Sequence, residues 1–184
     1  IGLPNNGIGY HERAMVLRYL ENNDMHRFIR HHGLDRTKMV ALLMYTIPGI
    51  PLIYNGQEIG FSAAHPYQTD YIFEGSQSIE SQDINGLFSY YKYLNSLRNT
   101  FVSLRSDSIE ELSFINPGNP HTFSYHRWHG KENLFFVINT AEEATNVTIE
   151  LPLEKLNTEP EEDYYLTDVI NGEVISGTSA ELQE

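Results

Sequence analysis

The residues best placed to do chemistry form one polar cluster, Glu21-Asn22-Asn23-Asp24, with Arg27 three positions further on. The cluster follows directly on an apolar run, Ala14 to Leu20. A short apolar run reads as a buried strand. Polar residues at the mouth of a rigid strand are where catalytic and binding groups concentrate. On its own, Asp24 also reads as a helix cap or an ordinary loop residue. Arg27 either orients Asp24 through a charge-assisted bond or lies on the surface of the following turn. Other ionisable groups are weaker candidates. His31 and His32, followed by Asp35, lack a third ligand at metal-site spacing, and adjacent histidines point apart on most backbones. Glu58, with Tyr54 at the end of a second apolar run, reads as a structural support rather than a catalytic group. The acidic run Glu159, Glu161, Glu162 and Asp163 reads as a solvated loop.

The elements that must position the cluster follow from periodicity. Asp35 to Tyr45 has helical spacing, with Asp35 as its cap. Ile47-Pro48-Gly49-Ile50-Pro51 stops that helix, and Leu52-Ile53-Tyr54 reads as a second buried strand ending at Asn55-Gly56-Gln57-Glu58. Strand, helix, strand, each strand with a polar C-terminal end, is the rhythm of a parallel α/β sheet or barrel. Residues Ile1 to Tyr10 read as a loop, with Gly7-Ile8-Gly9 as a turn, and Gly60 to Gly86 as a long polar stretch. Leu87, Tyr90, Tyr91, Leu94 and Leu97 lie on one side of a helix that continues to about Leu104. Beyond Asp107 the pattern changes. Phe123 to Trp128, Leu134 to Ile138, Val147 to Leu151, Tyr164 to Val169 and Glu173 to Ile175 read as short strands separated by turns, the spacing of a β-sandwich. The expected division is therefore 1–106 and 107–184.

Composition narrows the function classes. A net charge of −13 opposes binding to nucleic acid and to anionic membrane surfaces, whereas a neutral polysaccharide is compatible with it. The absence of cysteine removes disulfides, thiol catalysis and Cys-ligated zinc, and leaves secreted, periplasmic and cytoplasmic settings all compatible. No apolar run is long enough to span a membrane. The chain opens Ile1-Gly2-Leu3-Pro4, which reads as a piece of something longer. Trp128, Tyr125, Tyr164 and Tyr165 are candidates for a sugar-stacking surface, although nine Phe and twelve Tyr in one chain make core packing the better reading. Asn146-Val147-Thr148 is a glycosylation triplet of a kind that arises often by chance.

Two segments together carry a family resemblance. Tyr19-Leu20-Glu21-Asn22-Asn23-Asp24 resembles the strand-seven motif of the α-amylase superfamily, glycoside hydrolase family 13, written F-L/V-D/E-N-H-D. Thr46 to Gly60 (TIPGIPLIYNGQEIG) is similar to that family's strand-eight segment, T-x-P-G-x-P-x-x-Y-x-G-x-E. The stretch from Leu87 to Leu104 is similar to its last barrel helix. The resemblance implies an α+β chain overall: the terminal portion of a (β/α)8 TIM barrel over 1–106, then an all-β sandwich domain over 107–184. It implies a retaining glycosidase acting on α-1,4-glucans, with one nucleophile and one general acid/base. By motif position Asp24 is the third carboxylate, the transition-state stabiliser, with Asn23 and Arg27 on the substrate side. Asn23 departs from the family's His, replacing a titrating ring with a shorter amide. His26 lies close by as a partial substitute. The nucleophile and the acid/base belong to earlier strands, so this chain alone is expected to be inactive. No cofactor is evident, and calcium in the parent would use upstream ligands. The rivals are a transglycosylase of the same superfamily and a non-catalytic carbohydrate-binding module, the latter to be recognised by exposed coplanar aromatics.

Overall fold

Strand, helix and strand follow one another as β1 (Leu17–Arg18), α1 (Phe28–Thr46) and β2 (Ile50–Pro51). The strands are parallel, with Leu17 opposite Ile50 and Arg18 opposite Pro51. Parallel neighbours need a crossover, and α1 supplies it. The ladder is closed by Ile50 N donating to Val16 O at 2.8 Å and Leu52 N donating to Arg18 O at 2.7 Å. The donors thus sit on either side of Pro51, so its missing N–H removes no bond. Gly49 precedes the strand at φ +126°, and a Cβ there would stand 2.6 Å from Val16 O. A side chain at this position would collide with the partner backbone.

The computed structural model describes residues 14–63, 78–156, 158–159, 161–179 and 181–183. The loop expected over residues 1–10, with its Gly7-Ile8-Gly9 turn, and residues 64–77 of the expected polar stretch lie outside them. The chain divides into two compact units, 1–108 and 109–184.

Three expectations for the first unit are corrected. The strand expected at Leu52–Tyr54 lies two residues earlier, because the pairing is set by Gly49 and Ile50. The helix expected from Asp35 starts at Phe28 and breaks at Gly33 (φ 76°, ψ 177°) before resuming. Asp35 thus falls in the first turn after the break rather than at the cap, and Thr37 Oγ1 returns a bond to Gly33 O at 2.7 Å. The apolar run before the cluster is not buried throughout. Side chains alternate across a strand, and Met15, Leu17 and Tyr19 lie on an exposed face while Leu20 enters the core.

That core joins Leu20 to Ala41, Met44 and Tyr45 of α1 and to Leu87, Tyr91 and Leu94 of α2 (Leu87–Thr100), with Tyr90 and Leu97 packed against it. The apolar side of α2 read from the sequence is the buried one. A 3₁₀ turn, Val102–Arg105, extends it. Asp83 starts α2: its carboxylate accepts from Leu87 N and Phe88 N, each at 3.0 Å. Arg98 locks the far end, donating to Tyr45 O at 2.9 Å, Leu104 O at 2.6 Å and Gly49 O at 2.5 Å.

The second unit is built from antiparallel ladders. β3 (Glu110–Glu111) and β6 (Glu132–Asn139) flank β5 (Thr122–His129), β4 (Phe114–Asn116) pairs with β7 (Thr148–Ile149), and β8 (Asp163–Thr167) pairs with β9 (Val174–Thr178). β7 is shorter than the strand expected over Val147 to Leu151, and a short helix not expected from the sequence, α3 (Leu153–Leu156), follows it. In the β5–β6 hairpin Tyr125 lies opposite Phe136, and their rings stack at 4.8 Å. Among the described residues no helix is long and apolar enough to cross a membrane.

Candidate active site

Glu21 to Arg27 leave the C-terminal end of β1 as a short loop whose two ends are buried and whose tip is exposed. Glu21 and Arg27 are each 1% exposed. Glu21 Oε1 accepts from Arg27 Nη1 at 2.8 Å, and Glu21 Oε2 accepts from the backbone N of Phe28 at 2.5 Å. The second bond satisfies one of the free N–H groups at the start of α1. The Arg27 guanidinium carbon stands 4.6 Å from the centre of the Tyr54 ring and 5.2 Å from that of Phe61. Its Nε and Nη2 have no hydrogen-bond partner, so the aromatic faces are what receive that part of the cation.

At the tip, Asn23, Asp24, Met25 and His26 are all exposed. Asn22 Oδ1 accepts from Asp24 N at 2.8 Å, and Asn23 Nδ2 donates to Asp24 Oδ1 at 3.1 Å. Asp24 is therefore presented to solvent on a hydrogen-bonded turn. Asn23, where the family motif has His, lies beside that carboxylate and contacts it directly. The expectation for Arg27 is corrected on both counts: it is buried rather than on the surface, and the carboxylate it binds is Glu21 rather than Asp24. The reason is the reach of Glu21, whose two oxygens close the loop at Arg27 and Phe28.

The end of β2 supports this loop from below. Gln57 Nε2 donates to the Tyr91 hydroxyl at 2.6 Å, and Gln57 N donates to Tyr54 O at 2.8 Å. Burial pushes the Tyr91 hydroxyl well above its ordinary pKa; the Gln57 bond opposes this, and the Glu21 charge adds to it. Glu58 Oε2 is buried without a partner. Sequence reasoning missed Glu21 as a working residue. A Glu and an Arg six positions apart match no regular spacing, and the motif alone marked Glu21 as a member of a polar cluster.

The remaining candidates separate. His26 is exposed and meets the edge of His31 at 5.4 Å. Among the described residues no group of three or more His, Asp or Glu is arranged to hold a metal ion. Of the four aromatics considered as a sugar platform, Tyr125 is 4% exposed, Tyr164 and Trp128 are half-buried, and Tyr165 is 70% exposed. Trp128 stacks on His126 at 4.9 Å. Coplanar exposed rings, the mark of a binding module, are not what these four form. A surface groove of about 510 Å³ is lined by Lys92, Asn95, Ser96, Asn99 and Thr100, none of them a residue of the Glu21 to Arg27 loop.

Comparison with known proteins gives this geometry a context. The family described as alpha amylase, catalytic domain, matches residues 8–89. Alpha-amylase MalA of Haloarcula japonica is 42% identical over 53 residues, 29% of this chain and 8% of that protein. Neopullulanase 2 of Thermoactinomyces vulgaris is 29% identical over 136 residues, 72% of this chain and 22% of that protein. Among solved structures, a maltogenic alpha-amylase, AmyB from Thermotoga neapolitana, superposes with a TM-score of 0.67 at 20% identity, covering 91% of this chain and 37% of that one. The chain thus spans well under half the length of these relatives.

Proposed function

We propose, since residues 8–89 of this chain match the alpha-amylase catalytic-domain family, that the chain is the C-terminal part of a glycoside hydrolase of that family, an enzyme cleaving α-1,4-glucans with retention of configuration. The observation that carries this reading is the placement of Asp24. Its carboxylate is exposed on a fastened turn at the C-terminal end of a parallel strand, the end at which β/α barrels carry their chemistry. In the reaction the anomeric carbon becomes positive, so an anion held nearby lowers the barrier. Asp24 supplies that anion and Asn23 hydrogen-bonds the sugar beside it. The substrate is a neutral α-glucan, in keeping with the net charge of −13.

The nucleophile and the general acid/base lie in barrel strands outside this chain, and any calcium is held there too. The antiparallel ladders after residue 109 are read as the β-sandwich that follows the barrel; alternation of half-buried and exposed residues in β8 supports this.

The test is reducing-sugar release from soluble starch by this chain and by the complete protein that carries it. Activity is expected in the long form alone. There, Asp24→Asn lowers kcat by on the order of 10²-fold or more. Activity in the short chain overturns the assignment of the nucleophile and acid to other strands.

A further inference from the structure

We propose that Glu21, acting through Arg27, is a positioning residue that sets where Asp24 stands. The proposal rests on the reading of Asp24 given above. The tip residues Asn23 to His26 are exposed, and apart from the edge contact of His26 with His31 packing does not hold them. Their position has to be set from the base of the loop. At that base a single carboxylate fastens both ends: Glu21 lies before the tip, while Arg27 Nη1 and Phe28 N lie beyond it, at 2.8 and 2.5 Å.

From the base a relay of bonds reaches the tip. Asn22, next to Glu21, accepts from Asp24 N through Oδ1 at 2.8 Å and from Met25 N through its carbonyl at 3.3 Å. On the other side the Arg27 cation rests against Tyr54 and Phe61, so the loop is referenced to the polar end of the second strand as well as the first. A merely structural role is served as well by a neutral pair of the same shape, because burying two charges carries a desolvation penalty that often cancels their attraction. The ion pair differs from such a pair in direction. A carboxylate can accept at both oxygens at once, and only that arrangement closes the loop at two points.

The experiment uses the complete protein with the double substitution Glu21→Gln and Arg27→Met, which keeps the volume and leaves no lone buried charge. Either single change strands a buried ion and destabilises the region whichever role is correct. The double variant is expected to fold and to melt close to the parent. Its kcat falls about 10- to 100-fold, the scale of a displacement of about 1 Å, while KM changes less than about threefold. Amide hydrogen exchange in peptides covering residues 22–26 speeds up, and exchange in α2 stays as it was.

Parental exchange rates at 22–26 in the double variant overturn the proposal. So does parental kcat in a folded double variant whose Asp24→Asn counterpart is inactive. The Asp24→Asn protein separates the two readings: if it retains full activity while 22–26 exchange faster in the double variant, the catalytic reading of Asp24 fails and the positioning of the loop stands.

Discussion

Arg27 is held by one charged bond, from Nη1 to Glu21, and by two aromatic faces, with essentially no solvent to share the charge. Removing one partner of such a pair leaves the other ionised in a poorly hydrated site. Arg27→Met alone is therefore expected to destabilise the first unit by about 3–5 kcal/mol, seen as a lower denaturant midpoint with an unchanged slope. An unchanged midpoint would show that solvent reaches Glu21. Gly49 makes a second residue-scale prediction. Its φ of +126° and the 2.6 Å approach of Val16 O to a Cβ mean that Gly49→Ala costs about 1–3 kcal/mol or more, and disturbs the backbone next to Arg98 Nη2. The glycine of the second motif is thus fixed by a backbone collision. A stability equal to the parent's in a melting experiment would contradict this.

Among the elements, α2 shows how far local pattern goes. Its buried side was legible because Leu87, Tyr91 and Leu94 repeat at helical spacing, and apolar area on one side has only one place to go. Its first residue, Leu87, was legible as well, but its cap was not. Asp83 lies outside the helix, with Gly86 at φ 69° between them, yet its carboxylate takes the N–H groups of Leu87 and Phe88. Asp83→Ala is expected to cost about 1 kcal/mol, read as a lower Tm of the first unit, with Asp83→Asn recovering part of it. The same limit explains α1. Its helical spacing over Asp35 to Tyr45 was legible, but its first segment, Phe28 to His32, is started by Glu21 from the loop after β1. A cap delivered from another element leaves no mark in the helix's own sequence. β1 and β2 are two residues long each. Their pairing was legible as an order of elements, but their register depended on the fit of Gly49 against Val16.

Over the whole molecule, the two units respond to opposite ends of the pH scale. In the second unit, the bond from Lys155 holds the Glu110 carboxyl below its ordinary value; partial burial opposes this, and His126 assists it. A lowered carboxyl pKa gives stability that is present above its unfolded value near 4.5 and is lost as pH falls through the folded one. The second unit is expected to weaken on acidification below that value. Lys155→Ala should reduce this dependence, with a loss of under about 1 kcal/mol because Lys155 is largely exposed. In the first unit, burial and then Tyr93 raise the Tyr90 hydroxyl from 10.0 to about 12, and Tyr91 is raised further by burial. A raised tyrosine binds its proton more tightly when folded, so stability is intact below pH 10.0 and lost as pH rises toward about 12. Tyrosine absorbance and circular dichroism should change together in that window. Ionisation of all tyrosines near their ordinary value, with the fold intact, would refute it.

The sequence by itself determined what chemistry is present and in what order. A polar cluster follows one strand, a helix crosses over, a second strand precedes another polar segment, Asn55 to Glu58, and the later part of the chain is rich in strands. Local periodicity and motif spacing are properties of neighbouring residues, so they survive without a fold. The tertiary structure alone decided that Glu21 is buried, that its partners are Arg27 and the backbone of Phe28, and that Arg27 lies against Tyr54 and Phe61. Those contacts join residues from β1, the start of α1 and the segment after β2. Their energies depend on exclusion of water and on distances across separate elements, and neither quantity exists along a chain read one residue at a time.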